Sequence, residues 1–172
     1  MQKLIIVCGL PGSGKTTLAK ELSRKLKITC IHKDSIKENL YEILELSTLE
    51  DSKRIGGQSI QLLYKLTEEQ LENGLDLIIE APFYFEEDYE IFRNWKLKFK
   101  LKIYSIICKI NNKERSKRFQ SRERHQGHHD TERLSDTAMS NEVYKKLPGK
   151  IIKISTDKPP KKLVEELSKF LK

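Results

Sequence analysis

Leu4-Ile5-Ile6-Val7-Cys8, running without a break into Gly9-Leu10-Pro11-Gly12-Ser13-Gly14-Lys15-Thr16, decides how this chain is read. The first five residues are apolar with no alternation, which predicts a strand covered on both faces. The next eight fit G-x-x-x-x-G-K-[ST] without deviation, and Leu18, Ala19, Leu22 and Leu26 behind them fall on one stripe of a helix. A polyphosphate requires this sequence of strand, glycine-rich turn and helix. Many N–H donors must converge on one point, so Gly9, Gly12 and Gly14 clear the approach and permit unusual dihedrals. The helix N-terminus near Lys15 adds its positive dipole end. On this reading Gly9, Gly12, Ser13, Gly14, Lys15, Thr16 and Thr17 bind a nucleotide. Lys15 reaches the β- and γ-phosphates, and the Thr16 hydroxyl ligates Mg²⁺.

Outward from this turn, strand and helix signals alternate. Ile28 to His32 is short and β-branched and predicts a second strand. Ser35 with Glu38 matches a capping box opening a helix through about Leu44. Ser47 with Glu50 matches another, opening a longer helix that Asn73-Gly74 ends. Leu75 to Glu80, Leu101 to Ile110 and Ile151 to Ser155 predict the remaining strands. Glu86 to Lys98 has helical spacing, Asn111 with Glu114 caps a further helix, and Leu163, Val164, Leu167, Phe170 and Leu171 share a face of the last. Five such alternations predict an α/β fold: a five-stranded parallel sheet with helices on both faces, three layers in all. Residues 1–172 read as one domain with an arginine-bearing lid inserted at about 112–137.

The composition suits a globular protein: of 172 residues 37% are hydrophobic and 34% charged. No run approaches the roughly 18 apolar residues of a membrane span, and the N-terminal apolar stretch is too short for a signal peptide. Cys8, Cys30 and Cys108 are odd in number and lie in or beside apolar runs, as expected of reduced thiols in a cytoplasmic protein. Lys plus Arg is 33 against 25 Asp plus Glu, a net charge of +8, but lysine supplies 25 of the positive charges and is scattered over the polar faces. Such scatter usually serves solvation, so a nucleic-acid partner is possible but not favoured. A monomer or homodimer is expected.

Several nucleotide-dependent classes can be set aside. A GTPase needs D-x-x-G, which is absent, and a guanine reader ending in a carboxylate, where Asn112-Lys113-Glu114-Arg115 ends in arginine, which has no acceptor. A motor or transport ATPase expects a carboxylate pair closing the third strand. Leu77-Ile78-Ile79-Glu80 closes it with a single one. Glu80 could orient Mg²⁺ or bind a substrate hydroxyl, because side chains at the carboxyl ends of such strands face the ligand crevice; a solvated strand end is the bland alternative. Asp34, just past the second strand, could accept the proton of an attacking hydroxyl, or could simply cap the next helix. Arg115, Arg118, Arg122 and Arg124 hold half of the chain's eight arginines, and the first three share a helical face. Arginine's planar fork suits phosphate oxygens, so a lid closing over a triphosphate is favoured over a solvated face. His125, His128, His129 and Asp130 lack the partners of a metal site and read as a lid tip. Phe83-Tyr84-Phe85 either floors an acceptor pocket or packs beneath the lid.

With Gly9 to Thr16, the Lys33-Asp34-Ser35 turn, the Leu77–Glu80 strand end and Arg115, Arg118 and Arg122 in this order, the chain resembles the small P-loop kinases often labelled AAA-family ATPases. That group includes zeta-toxin-like kinases, chloramphenicol phosphotransferase and the kinase domain of polynucleotide 5′-hydroxyl kinase. The resemblance covers about Met1 to Thr156 and implies the P-loop NTPase fold with ATP and Mg²⁺ as cofactors. It also implies that Asp34 is the catalytic base, that Arg118 lies near adenine and that Arg122 lies near phosphate. The group often has Asp where this chain has Glu80, and the adenylate-kinase signature D-G-x-P-R is missing, which argues against a nucleoside monophosphate acceptor. The expectation is γ-phosphoryl transfer from ATP to a hydroxyl of a small molecule, nucleoside or sugar. Its rivals are a polynucleotide 5′-hydroxyl kinase and an ATP-binding switch with little transfer.

Overall fold

The computed structural model describes residues 1–121 and 141–171. In chain order the elements are β1 (Lys3–Cys8), α1 (Lys15–Leu26), β2 (Thr29–His32), α2 (Lys33–Ile43), α3 (Leu49–Glu72), β3 (Leu77–Glu80), α4 (Glu86–Lys98), β4 (Lys102–Lys109), α5 (Asn112–Ser121), β5 (Lys150–Ser155) and α6 (Pro160–Leu171). A short 3₁₀ helix at Asn141–Lys146 precedes β5.

The five strands form one parallel sheet in the order β2-β3-β1-β4-β5. β1 is central because it is apolar on both sides. Leu4, Ile6 and Cys8 pack with Leu63 and Leu71 of α3 and Phe92 and Trp95 of α4, whereas Ile5 and Val7 pack with Leu18 and Leu22 of α1 and Leu163 and Leu167 of α6. Each fully buried aliphatic side chain contributes about 1.5–3 kcal/mol, so β1 ties the two cores into one α/β sandwich. From β1 the chain crosses over β3 to the edge strand β2, and from β3 it crosses back over β1 to β4, so the connections diverge at the carboxyl end of β1, a switch point where a crevice opens. Register aligns this edge: Val7 lies opposite Glu80, and Glu80 opposite His32.

Some local expectations fail. Ser35 does not cap α2. The helix starts directly at the strand end with His32 as N-cap, so Lys33, Asp34 and Ser35 all fall in its first turn. The box opening α3 lies one residue further on than Ser47 and Glu50: the Thr48 hydroxyl accepts from the Asp51 N–H at 3.0 Å, and the Asp51 carboxylate returns to the Thr48 N–H. Phe170 is exposed and leaves the buried face of α6 to Leu163, Val164, Leu167 and Leu171. Asn111 does cap α5, its side chain accepting from the Glu114 N–H at 2.8 Å. All three cysteines are free; Cys8 and Cys108 are buried, but Cys30 is only half-buried on the edge strand. Among the described residues no helix is long and apolar enough to cross a membrane.

Candidate active site

The turn between β1 and α1 is built from backbone that only glycine accommodates. Gly14 is the N-cap of α1 in the left-handed region at φ 79°. At Gly9, also at positive φ, an added Cβ would stand 2.6 Å from both the Cys108 carbonyl oxygen and the Ser13 hydroxyl. The Ser13 hydroxyl therefore faces the floor of the turn, where it is buried without a hydrogen-bond partner. The Ser13 N–H, too, is turned to the protein, donating to the Leu10 carbonyl oxygen at 3.1 Å.

Lys15 opens α1 and is only 7% exposed. Its Nζ stands 3.9 Å from Oε1 of Glu80, and Oε2 of the same carboxylate lies 3.1 Å from His32 Nδ1. Glu80, 1% exposed, is thus held between two basic groups from neighbouring elements, the arrangement a buried carboxylate needs. Burial pushes the nearby Cys108 thiol up to about 12, and it raises Cys8 as well. Both therefore sit beneath the turn as neutral thiols.

Thr16 is half-buried in the first turn of α1, and Thr17 is exposed beside it. Asp34 stands two residues beyond His32, on the same edge of the sheet, in the first turn of α2, where the helix dipole favours a carboxylate. Its side chain is 30% exposed, with Lys33 Nζ 3.5 Å from Oδ1. Arg118 points back to the body of the protein. Nε donates to Glu114 Oε1 at 3.1 Å, and both terminal nitrogens lie 3.4 Å from the carbonyl oxygen of Thr156. Arg122, Arg124, His125, His128, His129 and Asp130 lie outside the described residues.

Beside the glycine turn is a cavity of about 350 Å³. Gly14, Thr17, Leu18 and Arg118 form one side, and the β5–α6 connection from Thr156 to Pro160, with Leu163, forms the other. No sequence motif marks this connection. Ser155-Thr156-Asp157-Lys158-Pro159-Pro160 has the composition of an ordinary turn, and the only local signal is that it leaves the carboxyl end of a strand. The aromatic triplet divides: Phe83, at φ 44°, is buried edge-on against Phe92, whereas Phe85 is 61% exposed. Phe83 is therefore core and not pocket floor.

No curated protein matches the sequence significantly. Solved structures do resemble it closely. A protein of Chloroflexus aurantiacus J-10-fl with a provisional assignment as a kinase aligns over 99% of both chains at 28% identity and a TM-score of 0.83. A sugar kinase from Janibacter sp. HTCC2649 aligns over 99% of this chain and 95% of its own, at 18% identity and a TM-score of 0.67. The APS kinase of Mycobacterium tuberculosis, solved with AMPPNP and APS, aligns over 99% and 97%, at 16% identity and a TM-score of 0.62. The last two share the fold, that of the small P-loop kinases. Residues 4–143, from the first buried residue of β1 to the 3₁₀ helix before β5, match the model of the AAA domain family, and the chain belongs to that family.

Proposed function

We propose that this protein is an ATP-dependent kinase that moves the γ-phosphoryl group of ATP to a hydroxyl of a small-molecule acceptor, such as a sugar or nucleoside. One observation carries the reading. The glycine turn with Lys15 and the cavity rimmed by Arg118 share a wall at Gly14 and Thr17, so a polyphosphate in the first continues into a nucleoside-sized space in the second.

On this reading the amides of Gly14, Lys15 and Thr16 and the Lys15 ammonium bind the phosphates, Lys15 leaving Glu80 to do so. Thr17 and Arg118 border the nucleoside. The Thr16 hydroxyl and the Glu80 carboxylate are hard oxygen donors that suit Mg²⁺, which keeps several waters and needs few protein ligands. When bound, Mg²⁺ supplies charge neutralisation at the phosphate oxygens. Asp34 accepts the proton of the acceptor hydroxyl while its oxygen bonds to the γ-phosphorus. The bond from that phosphorus to the bridging oxygen breaks, and ADP departs. Arg118, joined by Arg122 from the lid, excludes water and balances the charge in transfer.

The test is γ-labelled ATP offered with a panel of sugars, nucleosides and a 5′-hydroxyl oligonucleotide. Asp34→Asn is expected to lower turnover at least about 100-fold, with ATP affinity kept within about twofold. Undiminished transfer in that variant would place the base elsewhere. ATP binding without product across the panel would favour a nucleotide switch.

A further inference from the structure

We infer that Thr156 is a positioning residue for the phosphate cradle: its hydroxyl fixes the Ser13–Gly14 peptide so that the Gly14 N–H faces the anion. The inference rests on the cradle binding a polyphosphate, as the kinase reading has it. Thr156 lies 143 residues beyond Ser13 in sequence, yet its Oγ1 donates to the Ser13 carbonyl oxygen at 2.7 Å in a buried contact.

The consequence follows from peptide geometry. In a planar trans peptide the carbonyl and the next N–H point in opposite directions. Drawing the Ser13 carbonyl towards Thr156 therefore turns the Gly14 N–H away from Thr156 and into the cradle. Nothing local makes this choice. Gly14 sits at φ 79°, and glycine tolerates the flipped peptide nearly as well. The Ser13 hydroxyl has no partner, and the Ser13 N–H is committed to the Leu10 carbonyl at 3.1 Å. The neighbouring side of the turn thus leaves orientation to the hydroxyl that crosses from Thr156.

Thr156 is itself well anchored. Its N–H donates to the Lys109 carbonyl at the end of β4 at 2.8 Å, and its own carbonyl faces both terminal nitrogens of Arg118. The Lys109 oxygen also lies 3.1 Å from Oγ1, but the hydroxyl has a single proton, and the Ser13 oxygen at 2.7 Å is the shorter of its two acceptor contacts. One residue joins the end of β4, the cradle and the arginine at the cavity rim.

Calorimetric titration of inorganic tripolyphosphate, ATP and adenosine into wild type, Thr156→Val and Thr156→Ser tests this. Valine keeps the shape and loses the proton; serine keeps the proton. Thr156→Val is expected to bind tripolyphosphate and ATP about tenfold more weakly, a difference of about 1.4 kcal/mol. Thr156→Ser should stay within about twofold, and adenosine should bind all three alike. Unchanged tripolyphosphate affinity in Thr156→Val, with only a lower melting midpoint, would reduce the residue to a structural role. An equal loss for adenosine would point to general loosening and would overturn the inference as well. Should Thr156→Val fail to fold, Thr156→Ala asks the same question with less bulk. Absence of any binding of tripolyphosphate or ATP to wild type would sink the kinase reading and this inference together.

Discussion

Asp88 is a carboxylate almost out of contact with water, 6% exposed at the start of α4. It accepts from the Tyr64 hydroxyl and from the Phe85 N–H, the latter at 3.1 Å. Those bonds favour the charged form, yet burial outweighs them and holds its pKa above the ordinary value. A group whose pKa is raised by folding stabilises the native state most when both states are protonated. That contribution is lost as pH climbs through the native pKa. Against Asp88→Asn, which does not titrate, the wild-type protein is therefore expected to lose relative stability as pH rises above about 4. Urea midpoints of the two proteins at several pH values measure this, and parallel curves would refute it. The same scale shows what could be read in advance. Lys15 and Thr16 are legible because their partners are the adjacent turn and helix. The contact of Lys15 and His32 with Glu80 is not, because it depends on the register of three strands.

Among the elements, helix starts were the least legible. The Ser-x-x-Glu pattern of Ser35 and Glu38 lies inside α2, because the helix begins directly at the end of β2, before that pattern can cap it. At α3 two overlapping candidates compete, and Thr48 with Asp51 wins over Ser47 with Glu50 because both halves of the exchange form there. Replacing Thr48 by alanine removes one half and should lower stability by about 1 kcal/mol, whereas Ser47→Ala should change it by less than about 0.5 kcal/mol. Denaturant midpoints separate the two. Strands were easier: largely apolar runs marked β1, β3 and β4 to within two residues, since burial on both faces leaves few polar positions, Ser105 within β4 and Glu80 at the end of β3 being the buried ones. The β5–α6 connection escaped notice because its role comes from Thr156 meeting Ser13 across the molecule, and no local pattern encodes that meeting.

At the scale of the whole molecule, the alternation of apolar strands and amphipathic helices was enough for the architecture, and the strand order adds a feature that composition alone left unexplained. Among the described residues β5 forms one border of the sheet, and its exposed Lys150 and Lys153 stand on that border. An uncovered strand offers unpaired amides and carbonyls to any similar strand, and like charges placed there keep neighbours from docking. On this argument Lys150 and Lys153 are expected to keep copies of the chain apart. Exchanging Lys150 and Lys153 for threonine, which favours extended backbone without the charge, should hasten aggregation in light scattering of concentrated samples at low ionic strength. In strong brine the wild type should lose its advantage, because the repulsion that guards this rim is screened within a few ångströms.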